Sequence, residues 1–122
     1  MSKVAWRRLL GIYKERAKRK DIEWSLTDEE AKLLFLGDCY YCGQEPRRNF
    51  SPYKTRKDIL AETRAKSWII VNGIDRLDNE RGYYLMNSVS CCAQCNYKKG
   101  SDTVEEFETW IERIVDYRTG KD

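Results

Sequence analysis

Apolar residues recur at intervals of three and four along the first part of the chain, and this spacing predicts two amphipathic helices. The first helix is expected over residues 3–20. Its apolar stripe consists of Trp6, Leu9, Leu10, Tyr13 and Ala17. The second helix follows Thr27, which forms a capping box with Glu30, and it ends at Gly37. Residues 22–26 alternate between apolar and polar, which indicates a short extended segment between the helices.

A third amphipathic helix is predicted near the C-terminus. Thr103 and Glu106 form its capping box, and it is expected to run to about Arg118. Its apolar stripe consists of Val104, Phe107, Trp110, Ile111, Ile114 and Val115. A stripe of this kind normally packs into the core, so we expect this face of the helix to be buried.

The centre of the chain carries the signals for β-structure. Residues 67–74 are rich in Trp, Ile and Val and predict a strand, and residues 83–85 predict a second one. Residues 78–82 have the composition of a turn. We therefore expect residues 69–76 to form a hairpin with residues 83–85.

Residues 46–66 contain both prolines and many charged residues, and we expect a loop or insertion there, with a short helix over residues 58–66. The whole pattern is that of a single α+β domain over residues 1–122. The domain comprises a helical N-terminal part (residues 1–36), a central part (residues 39–99) and the C-terminal helix (residues 103–118).

Four cysteines form two pairs that each enclose two residues. Cys39 and Cys42 make the first pair, and Cys92 and Cys95 make the second. This spacing lets both sulfurs of a pair face one point, and four thiolates about 2.3 Å from one ion form the usual closed structural Zn²⁺ site. Cys91 is the spare thiol, because the other four satisfy both spacings. Two disulfides with one free thiol are the alternative.

The cellular compartment bears on that alternative. The apolar stretch within residues 1–10 is too short and broken for a signal peptide, and no apolar run approaches the roughly 20 residues of a membrane span. We therefore expect a cytoplasmic protein without a membrane partner, in the host cytoplasm if a phage encodes it. Disulfides are rare in such a reducing compartment, which favours the metal site.

The net charge of +3 is unevenly distributed. Residues 1–20 and 46–66 are rich in Lys and Arg, whereas residues 101–122 are mainly acidic. Such a field attracts a polyanion to one side of the domain and repels it from the other. Solvated helix faces that happen to be basic are the simpler alternative.

Further polar residues lie between and after the cysteine pairs at a specific spacing. They are the segment Gly73-Ile74-Asp75-Arg76-Leu77-Asp78-Asn79, then Gly82-Tyr83, Asn87, and Asn96 with Lys99. Together with the cysteine pairs they resemble the HNH, or ββα-metal, nucleases, and more narrowly the small phage-type HNH proteins that carry a four-cysteine zinc site. The resemblance covers roughly residues 39–99. It implies a ββα-metal finger stapled by Zn²⁺ and flanked by N- and C-terminal helices.

The resemblance also implies a function, which is hydrolysis of DNA phosphodiester bonds by a metal-dependent endonuclease. Asp75 and Asn96 would bind one catalytic Mg²⁺ or Mn²⁺, and Asn87 would brace the loop and orient the general base. The Zn²⁺ would be structural, because four cysteine ligands leave no open position. The expected partner is DNA, double-stranded or branched, and one finger per subunit would need a homodimer to cut both strands.

One position departs from the family pattern. The usual base is a histidine directly after the aspartate, but this chain contains no histidine and carries Arg76 there. Arginine stays protonated, so Arg76 would bind the scissile phosphate instead of accepting a proton. Tyr83, Tyr84 or Asp78 would then be the base, or the metal alone would activate the water, at a lower rate.

Basic residues outside the motif are candidates for DNA phosphate contacts. They are Arg7, Arg8, Arg47, Arg48, Lys98 and Lys99. If the domain binds no nucleic acid, the same side chains are solvated surface.

Structural roles are the alternative for the motif residues. Asp75 could cap the turn or pair with Arg76 or Arg81. Asn96 could cap the helix that follows the second cysteine pair. Two other functions stay open as well. One is a zinc-stapled nucleic-acid-binding module without cleavage, and the other is a protein-interaction domain that dimerises through its amphipathic helices.

Overall fold

The computed structural model describes residues 2–120, and its long helices follow the predicted apolar periodicity. In chain order the helices are α1 (Lys3–Arg19), α2 (Asp28–Leu36), α3 (Ala61–Lys66), α4 (Ala93–Lys99) and α5 (Val104–Thr119). Thr27 caps α2 and Thr103 caps α5, each through the expected capping box. Local sequence signals therefore define where these two helices begin.

Within residues 2–120, four short strands form two separate antiparallel sheets, which makes the fold α+β. The strands are β1 (Arg48–Phe50), β2 (Ile69–Val71), β3 (Gly73–Arg76) and β4 (Ser88–Cys91). β1 pairs with β2, and β3 pairs with β4. Because α4 begins two residues after β4, two antiparallel strands and a helix follow one another at the second cysteine pair.

The predicted hairpin between residues 69–76 and 83–85 is wrong. Asn72 divides the first run into β2 and β3, because its side-chain amide donates to the carbonyls of Gly37 at 2.9 Å and Gln44 at 3.1 Å. Satisfying these buried polar groups fixes the chain at a point where it changes sheets. Residues 46–66 are also more regular than expected, since they contain β1, the partner of β2, and α3.

Tyr83 pairs with the segment between α1 and α2 instead of with β3. Its N–H donates to the Glu23 carbonyl at 2.8 Å, and its own carbonyl accepts from the Ser25 N–H at 2.7 Å. Gly82 permits this close approach, because a Cβ at that position would lie 2.6 Å from the Glu23 carbonyl oxygen. The turn residues therefore belong to a contact with the N-terminal part of the chain.

The main hydrophobic core lies where α1 and α2 meet the strands. Its buried members are Ala5, Trp6, Leu9, Leu10, Leu26, Ala31, Phe35, Phe50, Ile69, Val71 and Ile74. A smaller cluster of buried Cys39, Cys91 and Cys92 lies apart from it, with Tyr41 packed alongside. None of the helices in residues 2–120 combines the length and apolar character needed to cross a membrane.

The prediction that the apolar stripe of α5 packs into the core is wrong for most of the helix. Phe107 is buried, but Trp110, Ile111, Ile114 and Val115 are between 38% and 49% exposed. The reason is that α5 is anchored in its first turn, where the Phe107 ring packs edge-on against a tyrosine ring at a centroid distance of 5.4 Å.

Gly82→Ala is expected to lower the free energy of unfolding by about 1–3 kcal/mol, because the added methyl group would collide with the backbone at Glu23. Gly11→Ala is the matched control. Gly11 lies in α1 and a Cβ there meets nothing within 4 Å, so this change is expected to stabilise by about 0.5–1 kcal/mol. Urea unfolding followed by circular dichroism measures both variants. A Gly82→Ala protein as stable as the wild type would contradict the proposed contact.

Candidate metal centre and the adjoining cavity

The sulfur atoms of Cys39, Cys42, Cys92 and Cys95 lie within 4.8 Å of one another. Cys42 Sγ and Cys92 Sγ are 3.7 Å apart. This distance matches the edge of about 3.8 Å in a tetrahedron whose metal–sulfur bonds are about 2.3 Å. It is far longer than the bond of about 2.05 Å in a disulfide. The four cysteines can therefore hold a metal ion such as Zn²⁺, as predicted.

Two backbone turns place these sulfurs. In the first turn, the Gly43 N–H donates to the Cys39 carbonyl at 2.9 Å, and Gly43 has a φ of +76°, which glycine adopts without strain. In the second turn, Cys92 is the N-cap of α4, and its sulfur accepts from the Cys95 N–H at 3.3 Å. The Tyr40 N–H donates to a carbonyl of β4 at 2.8 Å, which ties the two turns together.

The pKa values of the cluster thiols are shifted in opposite directions, to a lower value for Cys39 and to a higher value for Cys95. Burial raises the pKa of the Cys39 thiol, but hydrogen bonds from the backbone of Cys92 and Cys42 outweigh burial, and the pKa falls to about 7. Burial and then the neighbouring thiols raise the pKa of Cys95. Adjacent thiolates repel one another, and a bound Zn²⁺ removes this cost because it deprotonates its thiol ligands outright.

Cys91 lies outside the four-cysteine cluster, as predicted. It is buried, and its thiol donates to the Cys92 carbonyl at 3.4 Å. Burial raises the pKa of Cys91 well above its ordinary value, so it stays a neutral thiol.

Asp75 lies buried in β3, and its contacts fall on one carboxylate oxygen. The Tyr41 hydroxyl donates to Oδ2 at 2.6 Å, and the Lys99 Nζ lies 3.3 Å from the same oxygen. Burial has the largest effect on the pKa of Tyr41, and the hydrogen bond to the Asp75 carboxylate has the next largest. Both raise this pKa far above its ordinary value, so the hydroxyl remains a donor. The charged partner of Asp75 is thus Lys99, not Arg76 or Arg81.

The prediction that Lys99 contacts DNA is wrong. Its side chain is 1% exposed and is directed at Asp75. A buried ammonium group is costly unless it is paired, and the Asp75 carboxylate offsets this cost through charge attraction, although the Nζ makes no hydrogen bond. Lys98, by contrast, is exposed on α4.

Asp75 and Asn96 line one cavity of about 260 Å³, which we call the polar cavity. Arg76 and Tyr83, which the sequence also assigned to the site, line the same cavity. Asn96 does not cap α4, because Cys92 occupies the N-cap position. The fold thus brings four of the five predicted catalytic residues to one place.

Asn87, the fifth predicted catalytic residue, is buried behind the loop that follows β3. Its Oδ1 accepts from the Asp78 N–H at 2.9 Å, and its Nδ2 donates to the carbonyls of Asp78 at 3.1 Å and Gly82 at 2.9 Å. Both ends of the amide are used, so Asn87 braces the loop as expected. Asp78, a candidate base, is also a turn residue, since its Oδ1 accepts from the Glu80 N–H at 2.9 Å.

Arg76 supports the same loop while it lines the polar cavity. Its Nη1 donates to the carbonyls of Asn79 at 2.9 Å and Arg81 at 2.8 Å. Its guanidinium lies 5.4 Å from the centre of the Tyr83 ring, which in turn packs against Trp24 at 5.2 Å. Arg76 and Tyr83 are therefore held in fixed positions beside the cavity.

The polar cavity has a basic rim that includes residues missed in the sequence. Arg16 of α1 and Lys20, the C-cap residue of that helix, line it. A neighbouring groove of about 360 Å³ is lined by Arg16, Arg47 and Arg48 and also reaches Asn96. The sequence contained an indication that Arg16 faces the rest of the domain. Arg16 follows the apolar-stripe residue Tyr13 by three positions and so lies on the same face of the helix.

Arg7 and Arg8 are placed differently from Arg16. Arg7 lines a separate groove together with Lys3 and Lys14, and Arg8 is exposed on α1. The cationic residues of α1 are therefore divided between two faces of the helix, and Arg16 lies on the face that borders Asp75 and Asn96.

Comparison with known proteins identifies a viral relative. The chain is 36% identical over 87 residues to an uncharacterized protein of Acanthamoeba polyphaga mimivirus. The match covers 71% of this chain but 13% of the viral protein, so the chain spans a small part of that relative's length. No protein-family model matches the chain, and no solved structure matches it.

Cys42→Ser is expected to lose the metal and unfold the domain, because the binding free energy of a structural Zn²⁺, about 10–16 kcal/mol, is also folding free energy. Cys91→Ala is the matched control and is expected to keep one Zn²⁺ per chain. Metal content by atomic emission and folding by circular dichroism distinguish the two. A Cys42→Ser protein that is folded and free of zinc would contradict the structural role.

Proposed function

We propose that this domain is a metal-dependent DNA endonuclease of the HNH type. The observation that carries the proposal is that Asp75 and Asn96 line one cavity beside the four-cysteine cluster. Carboxylate and amide oxygens are suitable ligands for Mg²⁺, which often binds few protein groups and keeps water and phosphate oxygens as its other ligands. The succession of β3, β4 and α4 is consistent with a ββα finger that carries these two side chains.

The basic rim supports a polyanionic substrate. Arg16 and Lys20 at the polar cavity, and Arg47 and Arg48 at the neighbouring groove, would neutralise phosphates on either side of the bond to be cut. A bound Mg²⁺ or Mn²⁺ would supply charge stabilisation at a phosphate oxygen and a more acidic water.

Arg76 would bind the scissile phosphate from the edge of the polar cavity. An arginine has five N–H donors, and the loop carbonyls engage those on Nη1. Since the loop fixes the guanidinium in advance, little side-chain entropy is lost when a phosphate binds. No histidine is present to accept a proton. We therefore expect slow hydrolysis, because a general base contributes about 10²–10⁴-fold.

A second candidate function is a zinc-stapled nucleic-acid-binding module that does not cleave. The absence of histidine and the use of Arg76 as a loop brace favour it. Such a module would bind phosphates with the same basic rim, so DNA binding alone does not separate the two functions. Cleavage that depends on Asp75 does.

Incubation with Mg²⁺ or Mn²⁺ is expected to let the purified protein nick supercoiled plasmid, and EDTA is expected to prevent it. Asp75→Asn and Asn96→Ala should each slow nicking by about 10²-fold or more, because several kcal/mol of charge stabilisation depends on the cation. Asp58→Asn and Gln94→Ala, both exposed, are the matched controls. Retardation of DNA without any nicking would favour the binding module. If the protein neither retards nor nicks DNA at low salt, both functions are excluded.

Arg16→Gln is expected to weaken DNA binding and to lower the slope of log K against log salt concentration by about 1, the effect of one lost phosphate contact. Arg7→Gln changes the same charge on the same helix but in the separate groove, so it should have a smaller effect. Fluorescence anisotropy with a labelled duplex at several salt concentrations provides the measurement. Equal losses for the two variants would show that binding responds to net charge alone.

A further inference from the structure

We propose that the four-cysteine cluster positions the Asp75 carboxylate through Tyr41 and Lys99, which hold Oδ2 by a hydrogen bond and by charge attraction respectively and leave Oδ1 for the divalent cation. This inference rests on the proposed function, because it assigns a purpose to the surroundings of the same carboxylate. Tyr41 and Lys99 are positioning residues in this proposal, since both act on the cation through Asp75.

Both partners of Asp75 come from segments that carry cysteine ligands. Tyr41 lies inside the first cysteine pair, and Lys99 lies on α4, whose first turn holds the second pair. Asp75 itself lies on β3, which contributes no cysteine. The closed cluster of cysteines therefore lies between two segments that place a hydroxyl donor and an ammonium group at one carboxylate oxygen, at 2.6 Å and 3.3 Å, and a bound Zn²⁺ would hold these segments together.

The Tyr41 hydroxyl is held in place by its own ring contacts. The ring packs edge-on against Phe107, with a centroid distance of 5.4 Å and an interplanar angle of 83°. It also packs edge-on against Tyr40 at 5.1 Å. A donor fixed in this way limits the rotation of the carboxylate that accepts from it, which is the usual role of hydrogen-bond partners behind metal ligands.

Charge alone would not favour this arrangement. The Lys99 ammonium group offsets part of the negative charge of Asp75 and so weakens its attraction for a second cation. Any gain in cation affinity must then come from the fixed orientation of Oδ1. Removal of the Tyr41 hydroxyl tests this separately, because Tyr41→Phe changes no charge and keeps the ring.

The experiment is a titration of the zinc-loaded full chain with Mn²⁺, without DNA, with free Mn²⁺ read by electron paramagnetic resonance. Tyr41→Phe is expected to raise the Mn²⁺ dissociation constant by about 10–100-fold. Tyr40→Phe is the matched control, because Tyr40 is 56% exposed and this change keeps the ring that packs edge-on against Tyr41. The absorption spectrum of the Co²⁺-substituted cluster should be the same in both variants, which would show that the cysteine site is intact.

Wild-type Mn²⁺ affinity in Tyr41→Phe would overturn the positioning role and leave the proposed function standing. A wild-type protein that binds no Mn²⁺, or binds it unchanged after Asp75→Asn, would overturn the proposed function and this inference with it. If Tyr41→Phe does not fold, NMR of the wild-type protein decides the matter. The Tyr41 hydroxyl proton should shift when Mg²⁺ is added, and a resonance that does not respond to Mg²⁺ would overturn the inference.

Discussion

The contact among four cysteine sulfurs joins two turns that lie far apart in the sequence. Cys42 and Cys92 are 50 residues apart, and all four strands lie between them in the sequence. The main hydrophobic core lies on the side of α1 and α2, whereas Cys39, Cys91 and Cys92 form a separate and smaller buried cluster. A cation that binds only the closed arrangement of the four sulfurs would add to the stability of this smaller cluster.

The segments that carry the four cysteines also supply the polar groups around Asp75. One cysteine turn carries Tyr41, and the other begins the helix that carries Asn96 and Lys99. In the proposed nuclease, the soft thiolate site of the four cysteines would fix the positions of the surrounding residues. The hard oxygen site of Asp75 and Asn96 would hold the catalytic cation. The two kinds of ligand prefer different cations, so neither site competes for the other's metal. Arg16 comes from α1, and Arg47 and Arg48 lie at the start of β1, so the arginines around the polar cavity and its neighbouring groove come from outside this unit.

Features that depend on neighbouring residues could be predicted from the sequence, and features that depend on distant partners could not. The capping boxes and the spacing of the cysteine pairs are local, and all appear as expected. The division of the strand at Asn72 depends on carbonyls from Gly37 and Gln44, which no local pattern reveals. Lys99 looks like any surface lysine until the fold places a carboxylate opposite its ammonium group.

The resemblance to HNH proteins selected residues that the fold brings together, but it did not give their surroundings. It selected Asp75 and Asn96, which share a cavity, but it was silent on Arg16, which borders them. Arg16 lies outside the stretch that carries the resemblance, so only the packing of α1 reveals it. The apolar stripe of α5 was read as core for a related reason, since periodicity reports that a face is apolar but not whether anything covers it.

That weakly covered helix has a consequence for the motions of the domain. Thr103 and Gly120 cap α5 at its two ends, but Phe107 is its one buried residue within the described part of the chain. Segments with few buried contacts open at a lower free energy than the whole domain, so α5 is suited to transient detachment. Each such opening would withdraw the Phe107 ring from behind Tyr41 while the sulfur cluster stayed closed. The position of the Asp75 carboxylate is therefore coupled, through Tyr41 and Phe107, to α5, a long helix with one buried residue.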